Sequence, residues 1–271
     1  MAGDASEAGN EPNSDSSREP EQIRREGFQQ LGISTPDRAM WNLRSVLREI
    51  GEDQEARIFL ALQQASCADA ALGGLERLLC GSLGFPAVIL EPGRLEKLIS
   101  ILGAGDPMVD LAKGHLLEVT SPDFTSTPAE IPQAPVIGGA DETARARALN
   151  RWHRREQLRI VCCELEGLFD VEQTGAALSD LADHTIRCAL DVLGGSQLPM
   201  AVVALGKWGG RELNFSSDID LYFIRDDQTP AGPCETVARG ILRLLTGYAG
   251  SIPLYRTDLR LRPGGITGPL V

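Results

Sequence analysis

The chain has 271 residues, with 26 lysines and arginines against 38 aspartates and glutamates, a formal net charge of −12. That length serves one large domain or two modest ones. The acidic balance argues against a nucleic-acid partner, because backbone affinity there comes from basic side chains displacing counterions. No charged-then-apolar leader opens the chain and no apolar run is long enough for a bilayer, so the expectation is a cytoplasmic protein with no membrane partner.

Residues 1–20, "MAGDASEAGNEPNSDSSREP", are small, polar and acidic, which predicts a disordered tail. From 21 to 118 apolar residues recur at three- and four-residue intervals. Leu43, Val46, Leu47 and Ile50, then Ile58, Leu60 and Leu62, then Leu75, Leu78 and Leu79 mark a region of several helices. Glycine and proline punctuation divides them. Residues 119–142 hold "TSPDFTSTPAEIPQAPVIGGADE", whose Pro, Ser, Thr and Gly content predicts a linker or long loop. Helical patterning resumes at 143 and runs to the Gly194-Gly195 pair.

The period then changes from helix to strand. "MAVVALG" (200–206) reads as a buried strand and "DIDLYFI" (218–224) as a second. Residues 234–248 carry an apolar stripe of Val237, Ile241, Leu244, Leu245 and Tyr248, which predicts an amphipathic helix. "LYRTDLRLR" (254–262) alternates as a third strand. The expected fold class is α+β: a largely helical N-terminal region, then a small sheet with flanking helices over 143–271.

The chemistry gathers on that sheet. Residues two apart on a strand point to one face, so Asp218 and Asp220 project together while Ile219, Leu221 and Phe223 bury. Two carboxylates side by side repel, and a hard divalent cation such as Mg²⁺ between them removes the cost. On the third strand Asp258, Arg260 and Arg262 would share a face, offering a third acid and two phosphate-binding cations. Gly209-Gly210 lets backbone amides approach an anion, and Ser216 and Ser217 add hydroxyls. The order GxxxxGK[ST] of a P-loop is missing. Each piece alone has a plain structural explanation; the strand, glycine pair, acid pair and later acidic strand in this order are far more specific.

These stretches resemble the nucleotidyltransferase superfamily that includes DNA polymerase β. Within it, "LGKWGGRELNFSSDIDL" is similar to the GKxGGxELxxxSDxDL signature of the glutamine synthetase adenylyltransferase/deadenylylase family, and "DLRLRPGGITGPLV" to its DLRLRPxGxxGPL signature. The resemblance is strong over 145–271 and weaker over 21–118. It implies a polymerase β-like catalytic sheet, with Asp218, Asp220 and Asp258 as catalytic Mg²⁺ ligands and Gly209, Gly210 and Ser217 cradling phosphate. It further implies ATP or ADP and phosphate as substrates and glutamine synthetase as protein partner, with a nitrogen-signalling regulatory protein as a further candidate partner. The wording "ELNFSSDIDL" and the closing "GPLV" are more similar to the deadenylylating half, which removes AMP from a tyrosine by phosphorolysis. Trp208 stands where a smaller apolar residue is usual; it is expected to be tolerated, at most narrowing the pocket. The chain stops directly after "GPLV", so the resemblance also implies an N-terminal fragment. Two alternatives stay open: an inactive binding or regulatory remnant, or another polymerase β-like transferase.

Three further features complete the expectations. Arg151, Arg154, Arg155 and Arg159 place positive charge on one helix, either as a solvated face with Glu156 pairing locally or as a contact to phosphates or an acidic partner. His115, His153 and His184 have no ligand spacing and are expected to be structural. Cys67, Cys80, Cys162, Cys163, Cys188 and Cys234 show no CxxC spacing and are expected to be buried free thiols.

Overall fold

The computed structural model describes residues 18–80, 87–125, 142–247, 253–260, 264–265 and 268–271. The expected tail therefore lies almost wholly outside the described residues, as does most of the expected linker. The chain divides into two compact units, Met1–Val109 and Asp110–Val271.

The first unit is helical. Its helices are α1 (Arg18–Gln30), α2 (Pro36–Ile50), α3 (Glu55–Gln64), α4 (Ala68–Cys80) and α5 (Arg94–Gly103), with α6 (Pro107–Ala112) at its end. Pro36 occupies the first helical position of α2, where its missing N–H costs no hydrogen bond. The periodic residues do face inward: Leu43, Val46, Leu47, Ile58, Leu62, Leu75 and Leu78 are all buried. Each buried side chain of this size contributes roughly 1.5–3 kcal/mol of transfer free energy. Leu60 is the exception, 63% exposed on the outer face of α3.

The second unit holds α7 (Leu116–Val119), α8 (Glu142–Leu165), α9 (Val171–Val192), β1 (Met200–Leu205), α10 (Gly206–Gly209), β2 (Ile219–Arg225), α11 (Ala231–Thr246) and β3 (Thr257–Asp258). The connection from α8 to α9 is short and ends in a capping box. Gln173 N donates to Asp170 Oδ1 (2.8 Å) and Asp170 N donates to Gln173 Oε1 (2.9 Å), satisfying two orphan amides at the start of α9.

The three strands form one sheet in the order β1-β2-β3. β1 and β2 are antiparallel, with Leu205 opposite Asp220 and Met200 opposite Arg225. β2 and β3 are parallel, with Ile219 opposite Thr257 and Asp220 opposite Asp258. A parallel pair needs a crossover, and α11 supplies it. Ile219, Leu221 and Phe223 alternate into a core shared with Leu178, Leu181 and Ile186 of α9 and with Ile241, Leu244 and Leu245 of α11. Tyr248, the last residue of the expected α11 stripe, lies outside the described residues.

The third strand is shorter than its alternation predicts. Among the described residues it pairs only over Thr257–Asp258. The Asp258 carboxylate accepts the backbone N–H of Arg260 (2.8 Å), so the side chain closes a local turn and takes a donor that a longer strand would need.

The basic face expected on α8 is solvated only in part: Arg151 is exposed, and the expected local pairing of Glu156 is present but buried. Glu156 is fully buried and accepts from Arg155 Nη1 (2.5 Å) and from Arg159 Nε (2.7 Å). Arg159 is itself 4% exposed. Arg155 also reaches Glu118 (2.7 Å) and stacks over Phe124. These arginines serve an internal ion-pair network that ties α8 to α7 and the turn after it. Among the cysteines, Cys162, Cys163, Cys188 and Cys234 are buried free thiols, while Cys67 is exposed; the Cys80 side chain lies outside the described residues.

Candidate functional site

β1 ends at Leu205, and the chain turns at once into the single helical turn α10. Gly206 makes this turn possible. It sits at φ +54°, and a Cβ built there would lie 2.2 Å from Asp220 Oδ2. The backbone at Gly206 thus presses directly on the Asp220 carboxylate, closer than any side chain permits. Gly209 is constrained as well, since its Cβ would come 2.7 Å from the carbonyl oxygen of Ala204. Gly210 has φ −80° and its nearest neighbour would be at 3.4 Å, so an ordinary side chain fits there. Of the expected glycine pair, only Gly209 is sterically required, and Gly206 carries the closest approach.

Helix α9 holds this turn in place from behind. Arg211, at φ +62°, forms a paired contact with Asp180 (2.7 and 2.8 Å). Trp208 is 5% exposed in the core, and its Nε1 donates to Asp183 Oδ1 (2.9 Å). Trp208 therefore anchors the turn to α9 rather than narrowing a pocket. Next in the chain, Asn214 organises the approach to β2. Its Oδ1 accepts from Ser216 N (3.1 Å) and from Ser217 Oγ (2.9 Å), and its N–H donates to Ser217 Oγ (3.2 Å). The Ser217 hydroxyl is thus engaged in shaping its own loop.

Two of the three expected acids meet at one end of the sheet, and the third stands close by in sequence. Asp220 and Asp258 are register partners on neighbouring strands, about 4.8 Å apart by strand spacing. Asp218 stands two residues before Asp220, immediately ahead of β2. Asp220 makes no hydrogen bond with the described residues, while the other two are paired with arginines. Arg256 Nε donates to Asp218 Oδ1 (2.5 Å) and Arg256 Nη2 to the Ser216 carbonyl (2.9 Å). Arg260 Nε and Nη2 donate to Asp258 Oδ2 (2.8 and 2.5 Å). The Arg260 guanidinium and backbone N–H hold the Asp258 carboxyl below the usual carboxylate range. Among the described residues no three His, Cys, Asp or Glu side chains converge as a metal cage as they stand. Arg262 lies outside the described residues.

Sequence reasoning missed Arg256 and Gly206. Arg256 stands two positions before Asp258, on the same expected face, but only the parallel pairing of β2 with β3 brings it to Asp218, 38 residues earlier. Gly206 was legible only as the end of a strand. The arrangement as a whole offers three hard oxygen donors, two guanidiniums suited to phosphate, and a glycine turn against the central acid.

A small mixed sheet with this acidic end, preceded by a helical region, is an α+β arrangement. Residues 110–271 match the family model described as glutamate-ammonia ligase adenylyltransferase, and the chain belongs to that family. Similar curated proteins carry the name bifunctional glutamine synthetase adenylyltransferase/adenylyl-removing enzyme. The one from Methylococcus capsulatus is 34% identical over 49% of this chain and 16% of its own length. That from Neisseria meningitidis serogroup B is 34% identical over 59% of this chain and 19% of its own length. That from Burkholderia mallei is 29% identical over 89% of this chain and 30% of its own length. The chain thus spans less than a third of each of these relatives.

Proposed function

We propose that this chain carries an adenylyl-transfer site acting on a tyrosine of glutamine synthetase, in the AMP-removing direction. The observation that carries the reading is the register of Asp220 with Asp258, beside a glycine turn that a Cβ would fill. Hydrogen phosphate attacks the phosphorus of the tyrosyl-AMP ester, the bond to the tyrosyl oxygen breaks, and ADP forms. The phosphate's proton ends on the phenol, which balances the reaction. Such a transfer asks the protein mainly for alignment and charge stabilisation.

The donor set of Asp218, Asp220 and Asp258 suits Mg²⁺, which takes hard carboxylate oxygens and substrate phosphates. When bound, the metal would supply charge neutralisation at the transferred phosphoryl group. Asp218 and Asp258 would turn from Arg256 and Arg260 to reach it, releasing two guanidiniums whose fork geometry matches phosphate oxygens. Gly209 and Gly210 present backbone near that point, and Ser217 joins them only if its bond to Asn214 opens.

The test is to incubate the chain with adenylylated glutamine synthetase, phosphate and Mg²⁺ and to follow ADP. Release is expected from the wild type and not from the Asp218→Asn plus Asp220→Asn variant; equal release from both would refute the assignment. The arginine pairing at two of the three acids favours one other reading, a folded remnant that binds without turnover. ADP binding without ADP release would support it.

A further inference from the structure

Beside Asp218 lies a cavity of about 250 Å³. Its walls come from α8, α9, the loop before β2 and the segment leading into β3, with Leu178, Leu181 and Phe215 among its apolar surfaces. None of residues 206–212 lines it. Along β2 the order is therefore the Gly206 turn against Asp220, then Asp218, then the cavity, with Ser216 and Arg256 at the boundary.

His153 of α8 lines this cavity. It is 1% exposed, and neither ring nitrogen has a hydrogen-bond partner among the described residues. Buried polar groups are nearly always paired, so an orphan imidazole facing a cavity points to a missing partner. Tyr255 meets its ring edge-on at 4.9 Å and holds it in place. Burial pushes the imidazole down to about 3, so it is neutral, with one N–H donor and one bare acceptor nitrogen. Gln157, one helical turn further along, is a second lining side chain without a hydrogen bond to the described residues.

We propose that this cavity is the subsite for the phenol ring of the substrate tyrosine, with His153 hydrogen-bonded to the phenolic oxygen. The inference rests on the adenylyl-transfer reading above. In-line transfer puts the attacking and leaving oxygens on opposite sides of the phosphorus. With phosphate at the glycine turn and the phosphorus over the carboxylates, the leaving tyrosyl oxygen falls on the Asp218 side, where the cavity opens. Size agrees: about 250 Å³ is room enough for one aromatic ring. Polarity agrees too. A phenol brings one oxygen for one imidazole, and a neutral imidazole serves it both as ester oxygen and as free hydroxyl.

The test uses the full chain with ¹⁵N-labelled histidine side chains, His153 being assigned by elimination through His115→Gln and His184→Gln. N-acetyl-L-tyrosinamide should shift the His153 resonances and leave His115 and His184 in place. N-acetyl-L-phenylalaninamide should bind at least tenfold more weakly, because it leaves the buried imidazole unpaired. Leu178→Trp, which fills the cavity, should abolish the shift while ADP binding in Mg²⁺, measured by calorimetry, stays within twofold. A His153 signal moved by adenosine instead, or by none of the ligands, would overturn the subsite even if ADP binds. A wild-type chain that fails to bind ADP while tyrosinamide still moves His153 would defeat the parent reading and leave the ring subsite standing.

Discussion

Gly206→Ala separates backbone geometry from chemistry at the candidate site. Gly206 holds φ +54°, a conformation that costs an L-residue about 1–2 kcal/mol. The new Cβ would also stand 2.2 Å from Asp220 Oδ2 and 3.2 Å from Asp220 Cγ. Asp220 is a short side chain with no hydrogen bond to the described residues, so its carboxylate rotates away, at a rotamer cost of about 0.5–1.5 kcal/mol. The expected loss is thus about 2 kcal/mol, or roughly 4–8 °C in melting temperature for a folded body of this size. The functional loss should be much larger, because the central acid is the group displaced.

Gly210→Ala is the matched control. It has φ −80° and no neighbour closer than 3.4 Å, so alanine there should leave stability unchanged or raise it by about 0.4–1 kcal/mol. Thermal unfolding and ADP binding in Mg²⁺ should be measured for both variants side by side. Equal melting temperatures, or loss of ADP binding in Gly210→Ala with retention in Gly206→Ala, would refute the reasoning.

Three other outcomes follow from the second unit. Trp208→Phe removes the indole donor to Asp183 and should lower stability by about 1 kcal/mol, read by urea unfolding, without a ring-sized cavity. Glu156→Ala breaks the buried pairs that Glu156 makes with Arg155 and Arg159 and should cost about 3–5 kcal/mol, read by urea unfolding in circular dichroism. The buried His153 has its folded pKa depressed to about 3 from an unfolded value near 6.5, so its stabilising effect is complete above pH 6.5 and declines as pH falls. From pH 6.5 to 5, before most carboxylates titrate, the wild type should lose about 2 kcal/mol, and His153→Leu should lose clearly less. The remainder comes in part from His115, whose pKa burial also lowers.

The sheet was legible because its signals are local. Ile219, Leu221 and Phe223 alternate with polar positions, and a two-residue period has one simple reading. The third strand was read too long for the same reason. "LYRTDLRLR" alternates throughout, but alternation cannot say when a side chain will take the donor the ladder needs, and Asp258 takes the N–H of Arg260. Leu60 on α3 shows the helical counterpart, since its position among apolar neighbours suggested burial and only the packing of α3 turns it outward.

At the site, what could be read was identity, and what could not was partnership. Asp218, Asp220 and Asp258 stood out by type and spacing, and the pairing of Asp220 with Asp258 brings two of them to one point on the sheet. Arg256 could not be found this way. Its carboxylate lies across a crossover, and nothing in its neighbourhood distinguishes it from a solvated arginine. His153 was hidden differently, for the sequence shows a histidine on a helix with no matching ligand, which describes most structural histidines. Only the packing of α8 against α9 and the segment before β3 turns that histidine into a buried group whose nitrogens find no partner among the described residues. A charge pair and an orphan imidazole are both relations between distant segments. The acids name the chemistry, while Arg256 and His153 border the space beside them into which a second substrate group would have to fit.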